Sequence, residues 1–496
     1  MSIDWIARAQ QITPNVRNLI EGRWCEVSGE RLEKLAPRNG RILATYGAGN
    51  AADVDVAVMS ARRAFDDGRW SSMPPTHRHD VLLRLAELMR ACREELALLE
   101  CLDVGKPISE ALAFDVSAAA DLIQHSAEMA PHVYGRVYSA SSSNLSYELL
   151  RPVGVAAGIV GWNFPLLLAA KKIAPALATG NSIILKPSEF TSLSAARLAE
   201  LALDAGLPPG VVNVVHGGAV VGNALALHRD VDLIAFTGST ATGKRLLIAS
   251  GESNMKRLVL ECGGKAPNIV FEDCPHLEAV ADAVVARAFW NQGEVCTASS
   301  RLLVQASVKD DLLRMVLGRL SALVPGDPLN PQTKFGALVS AIHERKVREY
   351  VSQGEDEGAR LLFRSEAAPP VSGGFYVSPV VFDSVCPTYR IAQQEIFGPV
   401  LSVISFRDEA EAIQIANGTM YGLSAIVWTR DLARAHRMLT GIHAGWVTVF
   451  GTERPGPGPV PGVMSIGGQK QSGLGLEGGI EGLRAFMTNT AAQVFV

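Results

Sequence analysis

Between positions 50 and 134 the apolar residues recur at helical spacing. Asn50-Ala-Ala-Asp53 reads as an N-cap region ahead of a helix over 54–65. Pro74-Pro75 marks a break. The stretch 81–99 then reads as one amphipathic helix, with Leu82, Leu85, Leu88, Met89 and Cys92 as its apolar stripe. A third helical segment covers 108–134. Stretch 138–150 changes character: Ser-rich polar positions alternate with Leu and Tyr, which predicts an extended hairpin outside the helical run.

From 153 the period switches. Short apolar runs at 154–160, 182–185, 211–215 and 233–236 alternate with helix-spaced stretches at 166–177, 192–205, 219–227 and 241–249. Successive βα units of this size predict an α/β protein with a doubly wound parallel sheet, which binds ligands at the carboxyl ends of its strands. Two β-rich runs within 256–271 flank Cys262-Gly263-Gly264 and mark the passage into a second lobe, with helices near 278–290 and 308–323. The stretch 454–462, RPGPGPVPG, is a loop. The tail 485–496 is apolar-rich, and the chain has no internal repeat. The apolar stretch 153–170 has the length of a membrane span. Asn163, Pro165 and three glycines interrupt it and Lys171-Lys172 follow, so it reads as a buried strand, a loop and the start of a helix.

Composition narrows the picture. At 496 residues one core would be oversized, so at least two domains are expected. A net charge of −4 excludes a strongly basic surface for nucleic acid or anionic membrane. Seven cysteines without a CxxC pair predict a reducing, cytoplasmic setting, and the start MSIDWIARAQQ lacks a signal-peptide pattern. A literal GxGxxG at Gly473, Gly475 and Gly478 is a false lead, because no convincing strand precedes it and too few residues follow for a βαβ unit. No HExxH, metal-spaced Cys/His cluster or Walker A occurs, so no metal site is expected.

The informative segments are Gly161-Trp-Asn-Phe-Pro165, Leu185-Lys-Pro-Ser-Glu189, Phe236-Thr-Gly-Ser-Thr240, Leu260-Glu-Cys-Gly-Gly-Lys265, Asn291-Gln-Gly-Glu-Val-Cys296, Glu395-Ile-Phe-Gly-Pro399 and Gly467-Gly-Gln-Lys-Gln-Ser-Gly473. In order and spacing they resemble the aldehyde dehydrogenase superfamily, from about Asn18 to the C-terminus. The wording FWNQGEVCTASSR is similar to the hydrolytic branch that includes γ-glutamyl-aminobutyraldehyde and other medium-chain aldehyde dehydrogenases. The resemblance implies two lobes with doubly wound sheets plus a small β oligomerisation element. Its parts would be an NAD-binding domain over 1–130 and 152–260, a catalytic domain over 261–465, and an oligomerisation element over 131–151 and 466–496. A homodimer or homotetramer is implied.

Read alone, Cys296 is a small buried hydrophobe or a thiol on a turn. The polar approach Gln292-Gly293-Glu294 predicts an exposed turn. The resemblance makes Cys296 the nucleophile, forming a thiohemiacetal and then a thioester, with the Asn163 amide and the Cys296 backbone N–H holding the oxyanion. Glu261 would be the base that activates water, which favours a free acid over transfer to coenzyme A. Lys172 and Glu477 match a proton relay. Lys186 and Glu189 match ligands of the adenosine ribose, and a carboxylate at Glu189 favours NAD over NADP. Gly238 and Ser239 end a strand and open a helix whose dipole suits a pyrophosphate, and Gly243 allows close packing in its first turn. Trp162, Gly222, Glu395 and Phe397 fall at further cofactor positions. Phe164, Trp290 and Trp446 would line the aldehyde tunnel. Lys171 stands where many relatives carry an aromatic residue. It either meets an anionic substrate tail, turns away, or pairs with Glu294. Cys262 replaces a common Leu, as a packed side chain or a second oxidisable thiol.

Overall fold

The computed structural model describes residues 3–27, 29–274, 276–365, 368–451 and 462–495. The predicted loop 454–462 lies outside the described residues except for Gly462. After a short helix (Trp5–Gln11) and four short strands, the first lobe packs the longer helices α1 (Ala51–Asp66), α2 (Pro75–Ala91), α3 (Arg93–Val104) and α4 (Val116–Met129). Helix α1 starts where the sequence predicts, at a capping box in which Asn50 and Asp53 bond each other's backbone N–H. The stretch read as one helix is two. At Cys92 the backbone leaves helical geometry (φ −92°, ψ 19°), and α3 turns into the core so that every residue from Leu96 to Val104 is buried. A single stripe cannot serve both an edge helix and a fully enclosed one.

The βα rhythm then follows: β1 (Val155–Ile159), α5 (Pro165–Ala178), β2 (Ser182–Lys186), α6 (Leu193–Asp204), β3 (Val212–Val214), α7 (Ala219–Leu227), β4 (Leu233–Thr237), α8 (Thr240–Glu252) and β5 (Arg257–Glu261). These strands are parallel in the order β3-β2-β1-β4-β5. Side chains alternate between two cores: Leu233 and Ala235 face the one shared with α2–α6, Ile234 and Phe236 the one under α1, α7 and α8. The strand order reverses between β1 and β4, which opens a crevice beyond their carboxyl ends.

The chain leaves this sheet through Cys262-Gly263-Gly264 and enters a second one. Its parallel strands are β6 (Pro267–Val270), β7 (Arg301–Gln305), β8 (Val380–Asp383), β9 (Val400–Phe406), β10 (Ser424–Trp428) and β11 (Trp446–Phe450), in the order β8-β9-β7-β6-β10-β11. The strand Arg360–Arg364 joins antiparallel at the β8 edge. The predicted hairpin (Val137–Ala140 and Asn144–Pro152) forms a third sheet with the C-terminal strand Met487–Phe495, paired from Met487↔Pro152 to Phe495↔Asn144. Gly473–Leu474, the start of the false GxGxxG, pairs with the end of β5 and opens no βαβ unit. Among the described residues no helix is long and apolar enough to cross a membrane.

Candidate active site

A cleft of about 990 Å³ opens at the switch point of the first sheet and extends to the second lobe. Asn163, Cys296, Glu477, Trp162, Lys186, Glu189, Gly222, Gly238, Ser239, Glu395, Phe397, Phe164, Lys171, Trp290 and Trp446 all line it. Glu261, at the end of β5 next to the lining residues Cys262 and Gly263, is half-buried, and Lys172 and Gly243 are buried. Elements far apart in the chain thus converge on one cavity.

Its geometry follows from the chain crossing. Glu261 ends β5, and the next three residues carry the backbone between lobes. A Cβ on Gly263 would stand 2.4 Å from Glu395 Oε2, and one on Gly264 2.4 Å from the Cys296 carbonyl oxygen. At Gly264, where the neighbour is backbone, only glycine admits that approach. The Gly264 N–H donates to Glu395 Oε1 at 3.0 Å, so the crossing also fixes Glu395. Gly243 is similarly constrained, since its Cβ would meet the Cys262 sulfur at 2.8 Å. Cys262 is therefore a packed side chain, its thiol pushed up to about 12 by burial.

The turn before Cys296 corrects one expectation. It is buried, not exposed, from Asn291 to Glu294. Asn291 (φ 47°), Gln292 (φ 56°) and Gly293 (φ 74°) run left-handed, a conformation that needs outside support. That support comes from a remote loop: Gly336 N–H donates to Gln292 Oε1 at 2.8 Å and Val339 N–H to Glu294 Oε1 at 3.1 Å. Glu294 thus points into the protein, and its pairing with Lys171 does not occur. Burial holds its carboxyl well above the usual carboxylate range. The Glu294 carbonyl accepts from Asn163 Nδ2 at 2.9 Å and from Asn291 Nδ2 at 3.2 Å. The Asn163 amide carries a second N–H, available to a ligand in the cleft.

Burial raises the Cys296 thiol to about 11, with Lys171 opposing and Glu395 and Glu261 reinforcing the shift. Burial likewise lifts the Glu261 carboxyl to about 8; Glu477 adds to the shift while Lys171 and Lys172 oppose it. Glu261 Oε1 is buried and accepts no hydrogen bond. Lys172, fully buried, bonds Glu477 Oε1, and Lys171 Nζ lies 3.7 Å from Glu477 Oε2.

At the other end of the cleft, Lys186 Nζ donates to the Pro187 and Gly217 carbonyls at 2.8 and 2.7 Å and lies 3.9 Å from Glu189 Oε2. One cation and one carboxylate on a single rim match a vicinal diol, which both donates and accepts. Ser239 caps α8 by accepting from the Thr242 N–H, and this helix start faces the cleft. The Phe397 ring packs against Trp162 at 5.0 Å. Phe164 and Trp290 stack at 5.2 Å, and Phe114 meets Trp290 at 4.9 Å. Sequence reading missed Phe114. It lies in a π-helical turn, Ala111–Asp115, whose extra residue has no apolar-period signature.

Comparison with known proteins agrees with this architecture. Residues 24–491 match the aldehyde dehydrogenase family. The chain is 46% identical to the NADP/NAD-dependent aldehyde dehydrogenase PuuC of Escherichia coli (strain K12), covering 97% of this chain and 96% of that one. An indole-3-acetaldehyde dehydrogenase solved with NAD+ superposes with a TM-score of 0.96 at 45% identity, over 99% of both chains. A γ-glutamyl-γ-aminobutyraldehyde dehydrogenase from Burkholderia cenocepacia J2315 does so at 0.94 and 44%, again over 99% of both. The chain belongs to the aldehyde dehydrogenase family.

Proposed function

We propose that this enzyme oxidises an aldehyde to the free carboxylic acid with NAD, through covalent attachment to Cys296. The observation that carries the free-acid outcome is Glu261: a half-buried carboxyl next in the chain to the cleft-lining Cys262, lifted by burial to about 8 and with an unpartnered oxygen. Such a group takes a proton near neutral pH.

The Cys296 thiol gives up its proton to water and the sulfur adds to the aldehyde carbon. The Asn163 amide and the Cys296 backbone N–H stabilise the resulting alkoxide. When bound, NAD supplies the acceptor for the hydride that leaves this carbon. Collapse of the alkoxide leaves a thioester on Cys296. Glu261 next takes a proton from water, the new C–O bond forms, the C–S bond breaks and the acid departs. Lys172 and Glu477 then carry that proton away from Glu261.

The residues present fit the cofactor. Lys186 and Glu189 suit the adenosine ribose hydroxyls, and Gly238 and Ser239 at the start of α8 suit the pyrophosphate. Trp162, Gly222, Glu395 and Phe397 complete the cofactor wall. The Glu189 carboxylate repels a 2′-phosphate, so NAD is preferred to NADP. Residues 1–130 and 152–260 serve as the cofactor domain and 261–465 as the catalytic domain. Segments 131–151 and 466–496 assemble copies of the chain through the open edge of Met487–Phe495, where Phe495 is exposed. Seven free cysteines suit a reducing cytoplasm. The walls Phe114, Phe164, Trp290 and Trp446 favour a medium-chain aldehyde with an apolar body. NADH formation across aldehydes of graded length and terminal charge tests this. Turnover confined to highly charged aldehydes would contradict it.

A further inference from the structure

The scheme above leaves Lys171 without a task. Helix α5 carries Lys171 and Lys172 in succession, and both reach one carboxylate. Lys172 is fully buried on Glu477 Oε1. Lys171, a quarter exposed at the cleft wall, lies 3.7 Å from Oε2, a buried oxygen that accepts no hydrogen bond. Glu477 is therefore flanked by two ammonium groups.

We propose that Lys171 is a positioning residue for both chemical steps: with Lys172 it holds the Glu477 side chain in place, and its charge offsets the negative charge that appears in turn on Cys296 and Glu261. The inference rests on the cysteine–glutamate reading of the site. Charged or titratable groups face this point from every side. Lys172 comes from the same helix, Glu477 from the segment before Gly479–Ala485, Glu261 and Cys262 from the end of β5 and Cys296 from its turn, while Glu395 acts on Cys296 and Cys262 and has its own cations, Lys265 and Lys346. Cys262 stays a neutral thiol. Two cations thus serve three groups that carry or acquire negative charge, Glu477, Glu261 and Cys296, and removing Lys171 leaves one.

Burial disfavours the Lys171 ammonium, but Glu477, Glu261 and Cys296 together outweigh burial and keep it charged. The reciprocal effects are present: Lys171 opposes the upward shift of both Glu261 and Cys296. A role as anchor for an anionic substrate tail fits less well. The tail would bring a second carboxylate beside Glu477, with like charges at short range.

The test compares wild type, Lys171→Met and Lys171→Arg by stopped-flow NADH burst and by thioester hydrolysis, between about pH 6 and 10. Each is run with a neutral aldehyde and its ω-carboxyl analogue. Lys171→Met moves the acid limb of both steps to higher pH by about one unit. Below that limb both rates then fall about tenfold, equally for the two aldehydes, and Lys171→Arg restores them. NAD binding by each variant shows that it is folded. An unmoved limb in Lys171→Met overturns the inference, as does a change confined to the ω-carboxyl aldehyde. Glu261→Gln run alongside separates the two ideas. If it still hydrolyses the thioester with the wild-type limb, the cysteine–glutamate reading fails and this inference with it. If it stalls while Lys171→Met is unshifted, the inference alone fails.

Discussion

The two ends of the cleft are built in opposite ways. At the cofactor end, Lys186, Glu189, Gly238 and Ser239 sit where a parallel strand gives way to the next segment, placed by the local order of strand, turn and helix. At the catalytic end, the turn from Asn291 to Cys296 has three residues in left-handed backbone and is held by Gly336, Val339 and Asn163. The first is a property of sheet topology. The second is a strained local structure stabilised by partners 44 to 131 residues away, near enough in space to bond but far in sequence. Damage at one end should therefore leave the other working.

The largest effect tests that independence at the nucleophile. Cys296→Ala should lower turnover by at least about 10³-fold while NAD affinity, read by fluorescence titration, stays within about twofold. Loss of NAD binding in that variant would mean the two ends are one cooperative unit. Next is the support of the turn. Glu294→Ala leaves the buried Val339 N–H unpaired, which costs about 1–3 kcal/mol of stability. We expect a lower Tm and a lower kcat at unchanged NAD affinity. Glu294→Gln should behave nearly as wild type, because burial disfavours the charged carboxylate and an amide oxygen can accept the same Val339 N–H.

The smallest effect is at the ribose rim. Glu189→Ala should weaken NAD about tenfold and narrow the preference over NADP, with an unchanged burst amplitude at saturating NAD. A reduced burst would show that the rim reaches the nucleophile. Should NADP still be refused by that variant, discrimination lies elsewhere on the cleft wall.

The same contrast explains what could be read in advance. Strand and helix positions from 153 to 261 were legible because buried parallel strands and amphipathic helices differ in period, and the ligand-facing ends follow from the topology. Glu261, Cys296 and Asn163 were singled out through motif resemblance, and of these Cys296 and Asn163 line one cleft. The burial of Gln292–Glu294 was not legible: their polarity argues for solvent, whereas their oxygens are satisfied by the remote backbone of Gly336 and Val339. Nor was the partner of Lys171, because Glu477 lies some 300 residues further on. The break at Cys92 was missed because an apolar stripe does not record which helix is fully enclosed.

The central claim is that one buried carboxyl, Glu261, turns the Cys296 thioester over to water. Stopped-flow measurement of Glu261→Gln tests it most directly. Ionised Glu261 is the base, so wild-type hydrolysis should rise with pH through about 8 and level off above it. The variant should release a single burst of NADH, close to one per active site, and then stall at every pH. Steady turnover in Glu261→Gln with the wild-type pH limb would contradict the account.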